Sequence, residues 1–188
     1  MITLIVGGSK SGKSRYAEEV VCKYAGDNHL KKYYIATMIP FDEEDNKRIA
    51  NHRLNRSGKN FITLERPNHI ELINNNDGIY LIDSLTAYLL NKMLDNNNIN
   101  KTINELLNEL RAEFDIFLNN HDNVVMVGDY IFSNIESINN TFTDFTNKYL
   151  ELLGLFLQHL TKKSDNVIEV KMGIPNVLVG ELYGKEEK

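Results

Sequence analysis

Residues 1–19 read MITLIVGGSKSGKSRYAEE, and this stretch decides the fold. Gly7 is followed, after four residues, by Gly12, Lys13 and Ser14, which is the G-x-x-x-x-G-K-[ST] spacing of a phosphate-binding loop. Glycine permits tight turns with positive φ, so that successive backbone N–H groups can point at one anion. The stretch therefore predicts a loop that binds the phosphates of a nucleotide.

The segments on either side of the loop have the order that such a loop requires. The apolar, β-branched run from Ile2 to Val6 predicts a strand, and the apolar residues after Lys13 recur with helical spacing. The N-terminus of that helix adds a partial positive charge beside the bound phosphates. The alternative is a Gly/Ser turn that only connects two elements of the core.

The loop residues divide into backbone and side-chain roles. Lys13 is predicted to reach the β- and γ-phosphates as a catalytic residue, and the Ser14 hydroxyl is predicted to contact Mg²⁺. The full set of loop residues predicted to bind nucleotide is Gly7, Gly8, Ser9, Lys10, Ser11, Gly12, Lys13 and Ser14.

Composition narrows the class of protein. With 188 residues, 42% hydrophobic and 25% charged, the chain is expected to form a single soluble domain over 1–188. The net charge of −5 argues against general binding to nucleic acid or to a membrane surface. No run of 18 apolar residues occurs, and the N-terminal run resembles a strand more than a signal peptide, so the expected location is the cytoplasm. Cys22 is the only cysteine, and its place on the apolar face of the first helix predicts a buried structural thiol.

Strand-like and helix-like segments alternate along the chain. Apolar runs predict further strands at 32–37, up to Glu65, and at 78–83, 123–128 and 166–173. Helical patterns are predicted at about 41–56, 67–73, 84–94, 101–118 and 143–164. This alternation predicts an α/β protein, a P-loop NTPase-type three-layer sandwich with a mainly parallel sheet.

Asp83 ends the strand-like run GIYLID. In phosphate-loop enzymes an acidic residue at this place holds Mg²⁺, and ligand groups collect at the carboxyl ends of parallel strands. Asp83 is therefore predicted as a catalytic and metal-binding residue together with Ser14. The alternative is a carboxylate that caps the following helix.

The segment DEEDNKRIANHRLNR (42–56) carries a third group of candidate residues. If it is helical, Arg48, His52 and Arg56 lie on one face, four residues apart. Like charges at this spacing repel each other, so this arrangement does not serve stability alone. Beside phosphate it is reasonable, because the arginines would neutralise triphosphate oxygens. His52 is then predicted to act as a neutral nucleophile. The alternative is a solvated helix in which Glu44 pairs with Arg48.

These motifs, in this order, resemble a known family. The blocks VGGSKSGKSRYAE, YIAT, DEEDNKRIANHRLNR, ITLERP and LIDSLTAYLLNKM look like the bacterial adenosylcobinamide kinase/adenosylcobinamide-phosphate guanylyltransferase family of cobalamin biosynthesis. The matching blocks cover about the first half of the chain, and weaker similarity continues to MGIP near its end.

The resemblance implies a bifunctional enzyme that uses ATP or GTP with Mg²⁺. It would phosphorylate the aminopropanol hydroxyl of the corrinoid adenosylcobinamide, and would then attach GMP through a guanylylated histidine, which maps onto His52. It also implies a homo-oligomer, suspected to be a trimer. Four further positions are carried over from the family: Thr37, Glu65, Thr86 and Asn91. Of these, Thr37 and Glu65 are predicted to bind nucleotide. Each of the four also has a purely structural alternative.

The chain also departs from the family pattern. After VVMV it has GDYIFSNIES (128–137) where the family has an Asn-Glu-Val-Gly stretch, and the last long helix keeps an acid at Glu151 and an amide at Gln158 but lacks the family's arginine and asparagine. Two alternatives therefore stay open: a monofunctional small-molecule kinase with the same fold, and a diverged paralogue that binds nucleotide as a regulator.

Overall fold

The computed structural model describes residues 1–130 and 143–183, apart from the side chains of Arg48, Asn51, Asn55 and Thr143. The strands of this part are β1 (Ile2–Gly7), β2 (Lys31–Ala36), β3 (Phe61–Glu65), β4 (Gly78–Asp83), β5 (Val124–Asp129), β6 (Asn166–Lys171) and β7 (Ile174–Val179). The α-helices are α1 (Lys13–Asn28), α2 (Glu43–Arg56), α3 (Leu85–Leu94), α4 (Ile103–Asn120) and α5 (Thr143–Lys163), and a short 3-10 helix spans Ile70–Leu72.

The strands form one seven-stranded sheet in the order β3-β2-β4-β5-β1-β6-β7. Every pairing is parallel except that of β6 with β7. Helix α1 packs on one face of the sheet, while α3, α4 and α5 build the core on the other face. The predicted three-layer α/β sandwich with a mainly parallel sheet is confirmed.

The helices owe their positions to apolar faces and to capping residues. Helix α4 begins with a capping box in which Thr102 and Glu105 satisfy each other's backbone N–H groups. Its buried face includes Leu110, Phe114 and Phe117, and Phe114 packs edge-on against Phe156 of α5. In the described part of the chain, no helix is both long and apolar enough to cross a membrane.

The strand register brings the sequence-predicted residues to one edge of the sheet. Gly7 of β1 lies beside Asp129 of β5, and Ala36 of β2 lies between Glu65 of β3 and Asp83 of β4. Because parallel strands end at the same edge, the phosphate loop and these carboxylates lie along one edge of the sheet.

The hairpin formed by β6 and β7 was only half predicted. The sequence predicted one last strand at 166–173, whereas the chain turns at Gly173 and returns as the antiparallel edge strand β7. Most side chains of β7 are exposed and Pro175 lies within it, so the segment lacks the apolar pattern of a buried strand. The turn supports the phosphate loop, because the Gly173 N–H donates a hydrogen bond of 2.8 Å to the Ser11 carbonyl.

Cys22 is less buried than the sequence predicted, because its thiol is partly exposed. The buried face of α1 runs through Ala17, Val21 and Ala25, and Cys22 lies one residue to the side of it. Partial burial nevertheless raises the pKa of the Cys22 thiol, which keeps it in its unreactive protonated form.

Candidate functional site

The phosphate loop requires glycine at two positions for different reasons. A side chain at Gly7 would place its Cβ 2.6 Å from the Val170 carbonyl oxygen and from the Ser11 hydroxyl oxygen. Gly12, which precedes α1, has φ of 94°, a left-handed conformation that other residues adopt only with strain. The loop therefore closes tightly against β6 and leads directly into the N-terminus of α1.

Two buried polar groups lie inside the loop. Lys13 is 7% exposed, and its amine donates a hydrogen bond of 3.1 Å to the Gly8 carbonyl. The Ser11 hydroxyl oxygen is buried and has no hydrogen-bond partner within residues 1–130 and 143–183. A buried polar atom of this kind normally has a partner, so the loop interior is suited to a polar, anionic ligand.

Asp129 is a candidate site residue that the sequence analysis did not single out. It ends β5 and forms an ion pair with the Lys13 amine, while its other oxygen accepts a hydrogen bond of 3.2 Å from the Thr86 hydroxyl. These contacts hold Lys13 at the mouth of the loop and give Thr86 a defined role. The signal was present in the sequence, because Asp129 follows a buried apolar run just as Asp83 does.

Ser14 and Asp83 lie next to each other, as predicted for a shared metal ion. The Ser14 hydroxyl donates to one Asp83 oxygen at 3.5 Å. A hydroxyl and a carboxylate are the oxygen ligands that Mg²⁺ prefers, so the donor set fits this ion. The alternative role for Asp83 is wrong: Ser84 caps α3, its hydroxyl oxygen accepting a hydrogen bond of 3.3 Å from the Ala87 N–H.

A tyrosine connects this carboxylate to α2. The Tyr34 hydroxyl donates to the second Asp83 oxygen at 3.2 Å, and the Arg56 guanidinium carbon lies 3.4 Å from the centre of the Tyr34 ring. Burial, with the negative charge of Asp83 adding to it, raises the pKa of Tyr34 well above its ordinary value. The phenol therefore stays protonated and remains a donor to Asp83.

Helix α2 carries the predicted nucleophile. Asp42 caps its N-terminus by accepting a hydrogen bond of 2.8 Å from the Asp45 N–H. His52 is partly buried one turn before Arg56 on the same face, and it makes no hydrogen bond or ion pair with another described residue. Its ring nitrogens are therefore not engaged by any side chain that the structure describes. The Arg48 side chain lies outside the part of the molecule that the structure describes.

The other predicted nucleotide-binding residues, Thr37 and Glu65, make no hydrogen bond or ion pair with the described loop residues. Glu65, at the end of β3, pairs with Arg53 of α2 at 2.8 Å, and both side chains are largely exposed. Thr37 is fully buried, and its hydroxyl donates to the Ser84 carbonyl at 2.8 Å and accepts from the Ser84 N–H at 2.9 Å. Thr37 thus fastens the end of β2 to the start of α3, across the cis peptide bond between Asp83 and Ser84.

Asn91 is a buried clamp rather than a surface amide. It is 6% exposed, and its amide nitrogen donates to the Thr37 carbonyl at 2.7 Å and to the Pro67 carbonyl at 3.0 Å. It therefore joins α3 to the chain segments that leave β2 and β3, and it supports the edge of the sheet where the candidate site lies.

Asn91→Ala is expected to lower the free energy of unfolding by about 2 kcal/mol, because the buried Thr37 carbonyl and the partly buried Pro67 carbonyl lose their donor. Urea denaturation followed by circular dichroism measures the change. Asn100→Ala, at an exposed position, serves as the control and should have little effect. Equal stability of the two variants would contradict the clamp.

The segment in which the chain departs from the family pattern is only partly described. Gly128, Asp129 and Tyr130 are in place, whereas 131–137 lie outside the described residues. On α5, Glu151 and Gln158 are both exposed.

Burial, reinforced by the nearby charge of Asp129, raises the pKa of Tyr149 on the same helix to about 12.

The glycine loop after β1, the buried Lys13 and the acidic residues at the ends of β4 and β5 define a P-loop nucleotide-binding protein. A family model described as "Cobinamide kinase / cobinamide phosphate guanyltransferase" matches residues 3–178. The chain belongs to this family, as the sequence resemblance predicted.

Two curated relatives support the assignment. The "Bifunctional adenosylcobalamin biosynthesis protein CobU" of Escherichia coli (strain K12) is 36% identical over 99 residues, which are 50% of this chain and 51% of the relative. The "Bifunctional adenosylcobalamin biosynthesis protein CobP" of Pseudomonas aeruginosa is 38% identical over 98 residues, 50% of this chain and 54% of the relative. The chain thus spans about half the length of the curated relatives it matches.

Solved structures show weaker likeness. The flagellar accessory protein FlaH from Methanocaldococcus jannaschii has a TM-score of 0.47 and 12% identity, over 95% of this chain and 77% of its own. The DnaC helicase loader has a TM-score of 0.43 and 12% identity, over 90% of this chain and 77% of its own.

Proposed function

We propose that this protein is an adenosylcobinamide kinase and adenosylcobinamide-phosphate guanylyltransferase. One arrangement carries the proposal: the face of α2 that bears His52 continues to Arg56, which contacts Asp83 through Tyr34 at the same edge as the phosphate loop. A phosphate-binding loop and a histidine nucleophile beside one crevice are the two parts that the two reactions need. The substrates are ATP or GTP and the corrinoid.

In the kinase reaction the aminopropanol hydroxyl oxygen attacks the γ-phosphorus and loses its proton to solvent. The bond from the γ-phosphorus to the β–γ bridging oxygen breaks, so that a nucleoside diphosphate leaves. The backbone N–H groups of residues 7–14 and the Lys13 amine bind the phosphates and neutralise their charge. Asp129 positions Lys13. Ser14 and Asp83 would hold Mg²⁺, which when bound neutralises the charge of the β- and γ-phosphate oxygens.

In the guanylyl transfer a neutral His52 nitrogen attacks the α-phosphorus of GTP and displaces pyrophosphate, which forms a phosphoramidate. Protonation of the imidazole then makes it a good leaving group, and a phosphate oxygen of adenosylcobinamide phosphate displaces it. The product is adenosylcobinamide-GDP. Arg48 and Arg56 are the residues of α2 that would neutralise phosphate charge, and Glu65 orients Arg53 on the adjacent surface.

The proposed enzyme also has an expected oligomeric state and an expected location in the cell. We place the enzyme in the cytoplasm as a homo-oligomer, with a trimer expected. Size-exclusion chromatography with light scattering measures the assembly directly.

The experiment that tests the function supplies adenosylcobinamide with γ-labelled ATP or GTP and Mg²⁺. Label is expected in the corrinoid, and unlabelled GTP added next should convert the phosphorylated corrinoid to adenosylcobinamide-GDP with release of pyrophosphate. Phosphorylation without the second product would favour the monofunctional kinase. Tight GTP binding with neither product would favour the regulatory paralogue.

A further inference from the structure

Asp129 is held through both of its carboxylate oxygens. One oxygen forms the ion pair with the Lys13 amine, and the other accepts the hydrogen bond of 3.2 Å from the Thr86 hydroxyl. The Thr86 hydroxyl oxygen in turn lies 2.9 Å from that of Ser84, the residue that caps α3. The carboxylate is therefore tied to the start of α3 on one side and to the phosphate loop on the other.

The Lys13 amine has to serve two anions when a nucleotide binds. In the structure it contacts the Gly8 carbonyl and Asp129, and its side chain is 9% exposed. A triphosphate in the loop would offer its β- and γ-phosphate oxygens to the same amine. The amine carries a single positive charge, and two anionic groups beside one cation repel each other. Nucleotide binding therefore competes with Asp129 for the charge of Lys13.

The strand register places Asp129 where the γ-phosphate would lie. Asp129 ends β5 beside Gly7 of β1, and β5 also pairs with β4, the strand that ends at Asp83. Its side chain is 21% exposed, so the carboxylate is accessible from the edge of the sheet. Because it contacts the amine that is predicted to reach the γ-phosphate, it lies next to the position from which this group is transferred.

The two carboxylates at this edge have different partners. Asp83 accepts hydrogen bonds from the hydroxyls of Ser14 and Tyr34, and it is the proposed ligand of Mg²⁺. Asp129 faces a cation that the phosphates would draw away, while its hydrogen bond from Thr86 would remain. A carboxylate without its counter-ion is a stronger base than one paired with an ammonium group. Asp129 is therefore suited to accept a proton once the nucleotide is bound.

We propose that Asp129 is the proton acceptor of the phosphoryl transfer, an inference that rests on the proposed kinase function. Nucleotide binding moves the charge of Lys13 from Asp129 to the phosphates. The freed carboxylate oxygen takes the proton of the acceptor hydroxyl as that hydroxyl oxygen bonds to the γ-phosphorus and the bond to the β–γ bridging oxygen breaks. The proton then passes from Asp129 to solvent, and Lys13 pairs with Asp129 again after the nucleoside diphosphate has left.

The first measurement is the affinity of Asp129→Asn for GTP without any corrinoid. Asparagine keeps an oxygen that can accept from Thr86 but removes the charge that competes for Lys13. We expect GTP to bind about tenfold more tightly, because a buried ammonium group without its counter-ion gains more from the phosphates. If Asp129 only positioned Lys13, the same variant would bind GTP more weakly. Asp144→Asn, in the exposed first turn of α5, is the matched control and should bind GTP like the wild type.

The second measurement follows transfer of the γ-phosphoryl group from GTP to adenosylcobinamide and, separately, to water. Asp129→Asn is expected to lower both rates about 100-fold at saturating GTP. Formate, a small carboxylate, should restore part of the rate in Asp129→Ala, which leaves room for it. If these variants do not fold, Thr86→Val replaces them. It should lower kcat about tenfold without weakening GTP binding, because the carboxylate loses the hydrogen bond that orients it.

Three results would overturn the role of Asp129: weaker GTP binding by Asp129→Asn, a wild-type rate of transfer in that variant, or no effect of formate on Asp129→Ala. Failure of the wild-type protein to phosphorylate adenosylcobinamide would instead overturn the proposed kinase function. The two failures are distinguishable, because GTP binding and transfer to water test Asp129 without the corrinoid.

Discussion

Lys13→Ala is expected to lower kcat/KM for phosphoryl transfer about 1,000-fold and to weaken nucleotide binding at least tenfold. The Lys13 amine is buried in the loop, between the Gly8 carbonyl and Asp129. Alanine leaves the glycine conformations intact but removes the charge that would neutralise the β- and γ-phosphates. Steady-state kinetics and fluorescence titration with a labelled nucleotide measure the two effects.

Lys47→Ala on the exposed surface of α2 is the control for this loss, because it removes the same charge at a position without a predicted role in the site. The variant should bind nucleotide normally. If Lys13→Ala retained more than about a tenth of wild-type kcat/KM, the phosphate loop would not be the site of transfer.

Asp83→Asn is expected to weaken the apparent affinity for Mg²⁺ about 100-fold, while nucleotide binding without Mg²⁺ changes little. Asparagine keeps the size of the side chain, and its one amide oxygen can accept a hydrogen bond from either Ser14 or Tyr34, but it removes the negative charge. A titration of nucleotide affinity against Mg²⁺ concentration isolates the metal effect from folding.

Asp144→Asn, in the exposed first turn of α5, is the matched control and should leave the Mg²⁺ titration unchanged. Equal Mg²⁺ dependence in wild type and Asp83→Asn would remove Asp83 from the metal site. Loss of nucleotide affinity both with and without Mg²⁺ would instead indicate that Asp83 acts through the packing of β4.

The parts of the site that follow from local sequence could be predicted. Strand, glycine loop and helix are consecutive, so the spacing from Gly7 to Ser14 was enough to predict the loop. Asp83 could be predicted because it ends an apolar run. Asp129 ends a similar run, but it reaches Lys13 only because β5 lies between β4 and β1. No local sequence pattern predicts this strand order.

Arg56 shows the same limit of local reasoning. Helical spacing correctly predicted one face for His52 and Arg56, but not that Tyr34 of a distant strand would lie under the guanidinium. Asn91 was singled out only through the family resemblance, and its two carbonyl partners are brought to it by the fold. Tertiary contacts decided which of these side chains face the site and which support it.

The most direct test of the central claim uses GTP labelled at the α-phosphate, incubated with Mg²⁺ and the protein and then denatured. We predict a covalent label that is stable in base, lost in acid, absent from His52→Ala and retained in His29→Asn, a substitution at the exposed C-cap of α1 that tolerates the left-handed conformation found there. Absence of label from the wild-type protein, or its persistence in His52→Ala, would contradict guanylyl transfer through His52.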